Sequence, residues 1–156
     1  CSSAASDVYK RQVRGEIMNI AINGFGRIGR SVFRILNSRK DVNLVAINDI
    51  FDKEALTYLL KYDTVMGRFP EQVSLVGDVL KTESQSVKLI AERDPASLPW
   101  GELGVDIVIE STGIFRQKSQ LENHLHAGAK RVVLTVPAKD EIDYTVVLGV
   151  NDDGLK

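Results

Sequence analysis

A glycine-rich segment near the start of the chain has the residue types that bind a phosphate group through the backbone. The segment, Asn23-Gly24-Phe25-Gly26-Arg27-Ile28-Gly29-Arg30, follows an apolar run at residues 17–22. A second apolar run, at residues 42–47, ends in Asn48-Asp49. Three glycines at this spacing between a strand and a helix, with an acidic residue about 20 positions further on, are typical of a dinucleotide-binding turn.

Each glycine of this segment has its own expected role. Gly24 permits a tight turn out of the strand, Gly26 lets the main chain approach a pyrophosphate, and Gly29 lets the new helix pack closely on the strand. The pyrophosphate would lie at the helix N-terminus, where free N–H groups and the helix dipole favour negative charge.

Asp49 indicates which dinucleotide is bound. At the carboxyl edge of the sheet its carboxylate accepts hydrogen bonds from ribose hydroxyls and repels a 2′-phosphate, and no arginine follows it immediately. NAD is therefore expected as the cofactor in preference to NADP. The competing interpretation is an ordinary glycine turn, together with an N-capping Asp before the helical stretch that begins at Lys53.

Composition excludes several classes of protein. The 156 residues, 44% of them hydrophobic and 26% charged, suit one globular domain, and the formal net charge of -1 gives no broad basic field, so no specific nucleic-acid partner is expected. No apolar run approaches the roughly 20 residues that span a bilayer, so no membrane partner is expected. The single cysteine, Cys1, fits a reducing cytoplasm and excludes an internal disulfide. His124 and His126 do not make a metal site by themselves, and no metal is expected.

The chain is predicted to divide into a short N-terminal extension and one domain. Residues 1–16 are small, polar or charged without periodicity, which predicts a disordered or non-native N-terminal extension. Residues 17–156 form the predicted NAD(P)-binding domain.

The alternation of apolar runs and helical periodicity predicts an α/β fold. It is a Rossmann-type, doubly wound, mostly parallel sheet with a short antiparallel hairpin inserted, and its ligand lies at the carboxyl edge of the strands. The predicted helices lie near residues 28–36, 53–62 and 118–127, with Gly128 as a C-cap. Strands are predicted at residues 17–22, 42–47, 73–76, 79–81, 87–91, 105–109, 131–135 and 146–150.

With these residues in view, the chain from Met18 onward closely resembles the glyceraldehyde-3-phosphate dehydrogenase family. The resemblance rests on many short stretches in the family's order, not on one motif. They include the glycine turn at residues 21–30, residues 45–49, 61–64 and 92–95, Glu110-Ser111-Thr112-Gly113-Ile114-Phe115, and residues 128–132, 137–140 and 149–152.

The resemblance implies roles for particular residues. Asn23, Arg27 and Ile28 would lie at the pyrophosphate turn, Asp49 at the adenosine ribose and Arg93 beside the adenine. Thr112, Gly113 and Phe115 would line the adenosine pocket, and Thr135 stands where many members have Ser. Taken without the resemblance, Arg93 is better explained by pairing with Glu92 or Asp94 on a solvated loop, and the two threonines are equally well explained by strand-end capping.

The resemblance also implies an activity for the complete enzyme. Members oxidise glyceraldehyde 3-phosphate with NAD and inorganic phosphate to 1,3-bisphosphoglycerate, in glycolysis, as homotetramers. The family's nucleophilic Cys and base His are not among these residues, so the chain is expected to be the cofactor-binding portion, without the last strand and the catalytic domain, and to bind NAD without turnover. The alternatives are a fragment of erythrose-4-phosphate dehydrogenase and a non-catalytic dinucleotide-binding module.

Overall fold

A computed structural model describes residues 17–155 of the chain. Its centre is a seven-stranded sheet in the order β5-β6-β7-β2-β1-β8-β9, and a separate two-stranded sheet pairs β3 with β4. The strands are β1 (Met18–Asn23), β2 (Val42–Asn48), β3 (Tyr62–Asp63), β4 (Gly67–Arg68), β5 (Ser74–Val76), β6 (Val79–Lys81), β7 (Ser86–Ile90), β8 (Ile107–Glu110) and β9 (Arg131–Leu134). The helices are α1 (Arg27–Asn37), α2 (Lys53–Lys61) and α3 (Lys118–His126), with 3-10 turns at Pro95–Ser97 and Asp152–Gly154.

The sheet is mostly parallel, as predicted. Strand β1 pairs in parallel with β2 and β8, and the parallel set continues to β7 on one side and β9 on the other. Strands β5, β6 and β7 pair antiparallel, which confirms the predicted hairpin that leads into a strand of the main sheet. The carboxyl ends of β1, β2, β7, β8 and β9 therefore meet at one edge.

Apolar side chains that point to alternate faces of the strands build a core on each face of the sheet. Ile20 and Ile22 of β1 pack into one apolar cluster with Phe33 of α1, whereas Ala21 between them belongs to a second cluster with Trp100. Side chains of successive strand residues point to opposite faces, so both faces of β1 are covered. Phe33 also makes an edge-to-face contact with Phe25, with ring centroids 5.6 Å apart.

Helix α3 ends where a glycine was predicted to stop it, although the C-cap itself is Ala127. Gly128 follows with a φ of 108°, and its N–H donates to Leu125 O while the N–H of Ala129 donates to His124 O. These two bonds form a Schellman motif, which satisfies carbonyls at the helix end and directs the chain into β9.

The predicted strand at residues 146–150 is wrong. This segment is a turn closed by Asn151, whose Nδ2 donates to Thr145 O at 2.9 Å and whose Oδ1 accepts from Val147 N at 2.6 Å. Leu148 and Val150 are exposed. Apolar and β-branched residues favour a strand only where a neighbouring strand supplies hydrogen bonds and packing, and here the Asn151 side chain and the left-handed Gly149 fix a turn instead.

The predicted extension at residues 1–16 lies outside the described residues. Among residues 17–155, none of the helices has the length and apolar character that crossing a membrane requires.

Candidate functional site

The glycine turn joins β1 to α1 at the carboxyl edge of the sheet. Gly24 has a φ of 92°, and a Cβ added there would lie 2.6 Å from the backbone N of Thr112. A Cβ at Gly29 would lie 2.1 Å from Gly24 O, so this glycine lets α1 pack against the turn. A Cβ at Gly26 would meet no atom within 4 Å. Gly24 and Gly29 are thus required by the chain's own packing, whereas Gly26 leaves open space beside the cleft.

The start of α1 is free to bind an anion. Gly26 is its N-cap, no side chain caps the helix, and its first turn contains no acidic residue. The first N–H groups of a helix have no intrahelical acceptor, and Gly26, Arg27 and Ile28 are exposed. A pyrophosphate fits this helix start because the backbone donors are available and no Cβ of residue 26 occupies the approach.

Asp49 follows β2 and ties the glycine turn to that strand. Its Oδ2 accepts from the backbone N–H of Phe25 at 2.7 Å, and its Oδ1 accepts from Phe51 N at 2.9 Å. A carboxylate has about four lone-pair sites, so further sites remain for ribose hydroxyls. Asp52, and not Asp49, caps α2, since the Asp52 side chain accepts from Ala55 N, and helix capping does not account for Asp49.

These features border one cleft of about 370 Å³. Of the residues predicted for the site, its lining contains Asn23, Gly24, Gly26, Asp49, Arg93, Thr112 and Phe115. The lining also contains residues to which the sequence assigned no role, namely Asn48, Ile50, Glu92, Ser111 and Ile114.

The remaining predicted residues lie around this lining without being part of it. Arg27 and Ile28 are exposed at the start of α1, Gly29 is buried beneath the turn, and Gly113 forms a left-handed turn after β8. Thr135 follows β9, and its hydroxyl donates to Glu110 O at 3.1 Å. That bond is a strand-end contact, so the structure accounts for Thr135 without a ligand.

Arg93 is exposed and lines the cleft. The two acidic neighbours that were the alternative partners for its guanidinium are engaged by backbone instead. Glu92 Oε1 accepts from the N–H groups of Arg93 and Asp94, at 2.7 and 3.0 Å, and Asp94 caps the following turn through Ala96 N. Arg93 and Asp49 line the same cleft.

A buried polar network lies beneath the cleft. Glu110, the last residue of β8, is fully buried, and its carboxylate accepts from the side chains of Asn23, His124 and Thr112. His124 in turn accepts from the indole N–H of Trp100 at 3.0 Å. The sequence placed His124 in a predicted helix without a role, and its only local hint of Glu110 was an acidic residue that closes the apolar run at residues 107–109.

A larger depression of about 570 Å³ lies elsewhere and does not compete with this site. It borders Asn19 and Asn43 near the amino ends of β1 and β2, and Arg39 after α1. Ligands of open α/β sheets bind outside the carboxyl ends of the strands, which is the edge where the 370 Å³ cleft lies. Within residues 17–155, no group of three or more His, Cys, Asp and Glu side chains could hold a metal ion.

Comparison with known proteins identifies the family. Residues 18–118 match the family model for "Glyceraldehyde 3-phosphate dehydrogenase, NAD binding domain". Glyceraldehyde-3-phosphate dehydrogenases from Thermotoga maritima and Streptomyces coelicolor are 54% and 51% identical over 88% and 87% of the chain. The one from Geobacillus stearothermophilus is 50% identical over 87% of the chain.

The chain covers 41%, 40% and 40% of the length of these three relatives, in the same order. The matched residues include the glycine turn, Asp49 and the whole lining of the cleft. The chain therefore belongs to the glyceraldehyde-3-phosphate dehydrogenase family, of which it carries the NAD-binding domain, and its cofactor is NAD.

Proposed function

We propose that this chain binds NAD in the 370 Å³ cleft and supplies the cofactor half of an enzyme that oxidises and phosphorylates glyceraldehyde 3-phosphate. One observation carries the site: the uncapped start of α1, with its open space at Gly26, and the Asp49 carboxylate border the same cleft. A pyrophosphate needs N–H groups that donate hydrogen bonds to it, and the adjoining ribose needs a carboxylate that accepts from its hydroxyls.

Each part of the cofactor has a group to hold it. The backbone N–H groups at Gly26, Arg27 and Ile28 receive the pyrophosphate, and Asp49 accepts from the adenosine ribose. Arg93, Thr112 and Phe115 border the adenine side. Asn23 is only 1% exposed; its side chain donates to Glu110 and its carbonyl accepts from Ser111 N, so its part is to hold the glycine turn in place.

The charge of Asp49 sets the preference for NAD over NADP. A 2′-phosphate bound at this ribose would lie beside a carboxylate whose position is fixed by two backbone N–H groups. The carboxylate cannot turn away without losing those bonds, so the like charges would remain close together. We therefore propose that NADP binds more weakly than NAD.

When bound, NAD would supply the hydride acceptor for oxidation of the substrate, and the start of α1 and Asp49 would hold it. The chain's own residues bind and orient the cofactor. The chain's one cysteine is Cys1, which precedes the first strand, and we propose that the attacking thiol belongs to another part of the complete protein. A cytoplasmic homotetramer, as is usual in the family, is part of the same proposal.

Two assays test this function. The 156-residue chain should bind NAD in a calorimetric titration and form no NADH from glyceraldehyde 3-phosphate and inorganic phosphate. A full-length protein that carries this chain should form NADH, in a reaction that stops when phosphate is omitted. Faster turnover of erythrose 4-phosphate than of glyceraldehyde 3-phosphate would contradict the proposed substrate, and no NAD binding by either protein would contradict the whole proposal.

A further inference from the structure

The carboxylate of Glu110 joins two walls of the cofactor cleft from below. Its Oε2 accepts from Asn23 Nδ2 at 2.6 Å, at the end of β1 where the glycine turn begins. Its Oε1 accepts from the backbone N and the hydroxyl of Thr112, at 2.9 and 2.5 Å, in the loop after β8. One buried side chain thus holds both segments in a fixed relation.

The link continues to the neighbouring strand through Asn48. Its Nδ2 donates to Asn23 Oδ1 at 2.7 Å and to Glu92 O at 2.8 Å, and its Oδ1 accepts from Glu92 N at 2.8 Å. The amide of Asn48 therefore has no donor left for a ligand. Both asparagines border the cleft, yet their side chains serve the connection between strands.

His124 and Trp100 fix the other end of the network. An indole N–H is a donor only, so the bond from Trp100 Nε1 requires His124 Nδ1 to be an acceptor. The proton of the neutral imidazole then resides on Nε2, which donates to Glu110 Oε2 at 2.8 Å. Every bond to the Glu110 carboxylate therefore comes from a donor.

We infer that Glu110, oriented by His124 and Trp100, is a positioning residue for NAD binding, which holds the glycine turn and the Thr112 loop at the separation that the cofactor requires. The inference rests on NAD binding in this cleft. It also assigns a role to Thr112: the hydroxyl hydrogen is committed to Glu110 and the oxygen accepts from Ile114 N at 3.1 Å. Thr112 therefore serves as the link to the loop and supplies no hydroxyl donor to the cofactor.

The test compares NAD dissociation constants, measured by calorimetry, for conservative variants. In Glu110→Gln the amide NH2 must face the hydrogen-bond donors of one wall of the cleft, so the bonds to that wall are lost. We therefore expect NAD to bind ~10-fold more weakly. Thr112→Val keeps the shape and the backbone bond while it removes the hydroxyl link, and it should also weaken binding. Thr112→Ser restores the hydroxyl and should recover most of the affinity that Thr112→Val loses.

The matched control is Thr57→Val. Thr57 is buried in α2, whereas Thr112 is half-buried, and the Thr57 hydroxyl donates to Lys53 O within the same helix. The same chemical change there should alter the thermal unfolding midpoint without altering NAD affinity. If Thr112 only filled space, Thr112→Val would bind NAD better than Thr112→Ser, and that order would overturn the inference.

A double variant separates positioning from direct contact with the cofactor. If Thr112 acts through Glu110, the double variant Glu110→Gln, Thr112→Val should bind NAD no more weakly than Glu110→Gln alone. If the fold-losses of NAD affinity in the two single variants multiplied in the double variant, each residue would act independently and the inference would fail. Should Glu110→Gln not fold, the comparison of Thr112→Val with Thr112→Ser decides alone.

The fluorescence of Trp100 gives a readout that does not depend on affinity. Trp100 is the only tryptophan of the chain and is fully buried. Its emission should change in Glu110→Gln, where His124 loses its carboxylate partner, and should stay unchanged in Thr57→Val. Unchanged emission in folded Glu110→Gln would contradict the link through His124. Absence of NAD binding in the unmutated chain would instead contradict the proposed function itself.

Discussion

The carboxylate of Asp49 accepts a hydrogen bond from the backbone N–H of Phe25 at 2.7 Å. Strand β2 therefore holds the glycine turn that follows β1, and the same residue lines the cleft in which we propose that the ribose binds. Because one carboxylate has both tasks, a change at Asp49 affects the shape of the turn and the choice of cofactor together.

Gly26→Ala should separate cofactor binding from folding. A Cβ at residue 26 would meet no atom of the chain within 4 Å, and replacing an N-cap glycine by alanine costs at most about 1 kcal/mol of unfolding free energy. The methyl group would occupy the approach to the helix N-terminus, so NAD affinity should fall about tenfold or more. Calorimetry and urea denaturation of the variant measure the two effects, and undiminished NAD binding would refute the role given to Gly26.

Gly29→Ala, three residues further along the same turn, should mainly lower the stability of the fold. Its Cβ would lie 2.1 Å from Gly24 O and 3.0 Å from Ser111 Oγ, and a backbone oxygen cannot yield as a flexible side chain can. We expect a loss of about 3 kcal/mol in unfolding free energy, the upper part of the usual range for overpacking. A thermal unfolding midpoint equal to that of Gly26→Ala would contradict this packing argument.

The stability of the chain should depend on pH through Glu71. Burial alone would raise the pKa of this carboxyl, but hydrogen bonds from Ser84, Thr82 and Asn37 outweigh burial and hold the pKa below the ordinary value of 4.5. A carboxyl with a lowered folded-state pKa stabilises the fold above its unfolded-state pKa, and this stabilisation is lost as the pH falls through the folded-state value.

Glu71→Gln should therefore be less stable than the unmutated chain at neutral pH and should lose less further stability on acidification below pH 4.5. Urea denaturation at several pH values measures both effects. The exposed Glu102 offers the matched control, and Glu102→Gln should follow the unmutated chain. An identical acid loss in Glu71→Gln and the unmutated chain would count against the hydrogen-bond account.

The parts of the site that sequence predicts are those with a local physical cause. The spacing of Gly24, Gly26 and Gly29 between a strand and a helix, and of Asp49 after the next strand, already determines the geometry of the turn. Short apolar runs separated by turn residues likewise predicted the antiparallel hairpin of β5 and β6, because their pairing is between neighbours in the chain.

The parts that sequence did not predict depend on distant segments. Glu110 meets Asn23 and His124 across 87 and 14 positions, and His124 meets Trp100 across 24, so no local period or motif marks the network. The error at residues 146–150 has another cause. These residues have a high strand propensity but no neighbouring strand to pair with, and the hydrogen bonds of the Asn151 side chain fix a turn instead.

The selection of NAD by Asp49 is tested most directly by a pair of charge-matched variants titrated with NAD and NADP. Asp49→Asn and Asp52→Asn each remove one negative charge, three residues apart, and asparagine remains a good N-cap at position 52. We predict that the unmutated chain and Asp52→Asn bind NAD more tightly than NADP. In Asp49→Asn the dissociation constant of NADP divided by that of NAD should fall by about tenfold. Tighter binding of NADP than of NAD by the unmutated chain, or equal ratios in the two variants, would contradict the account.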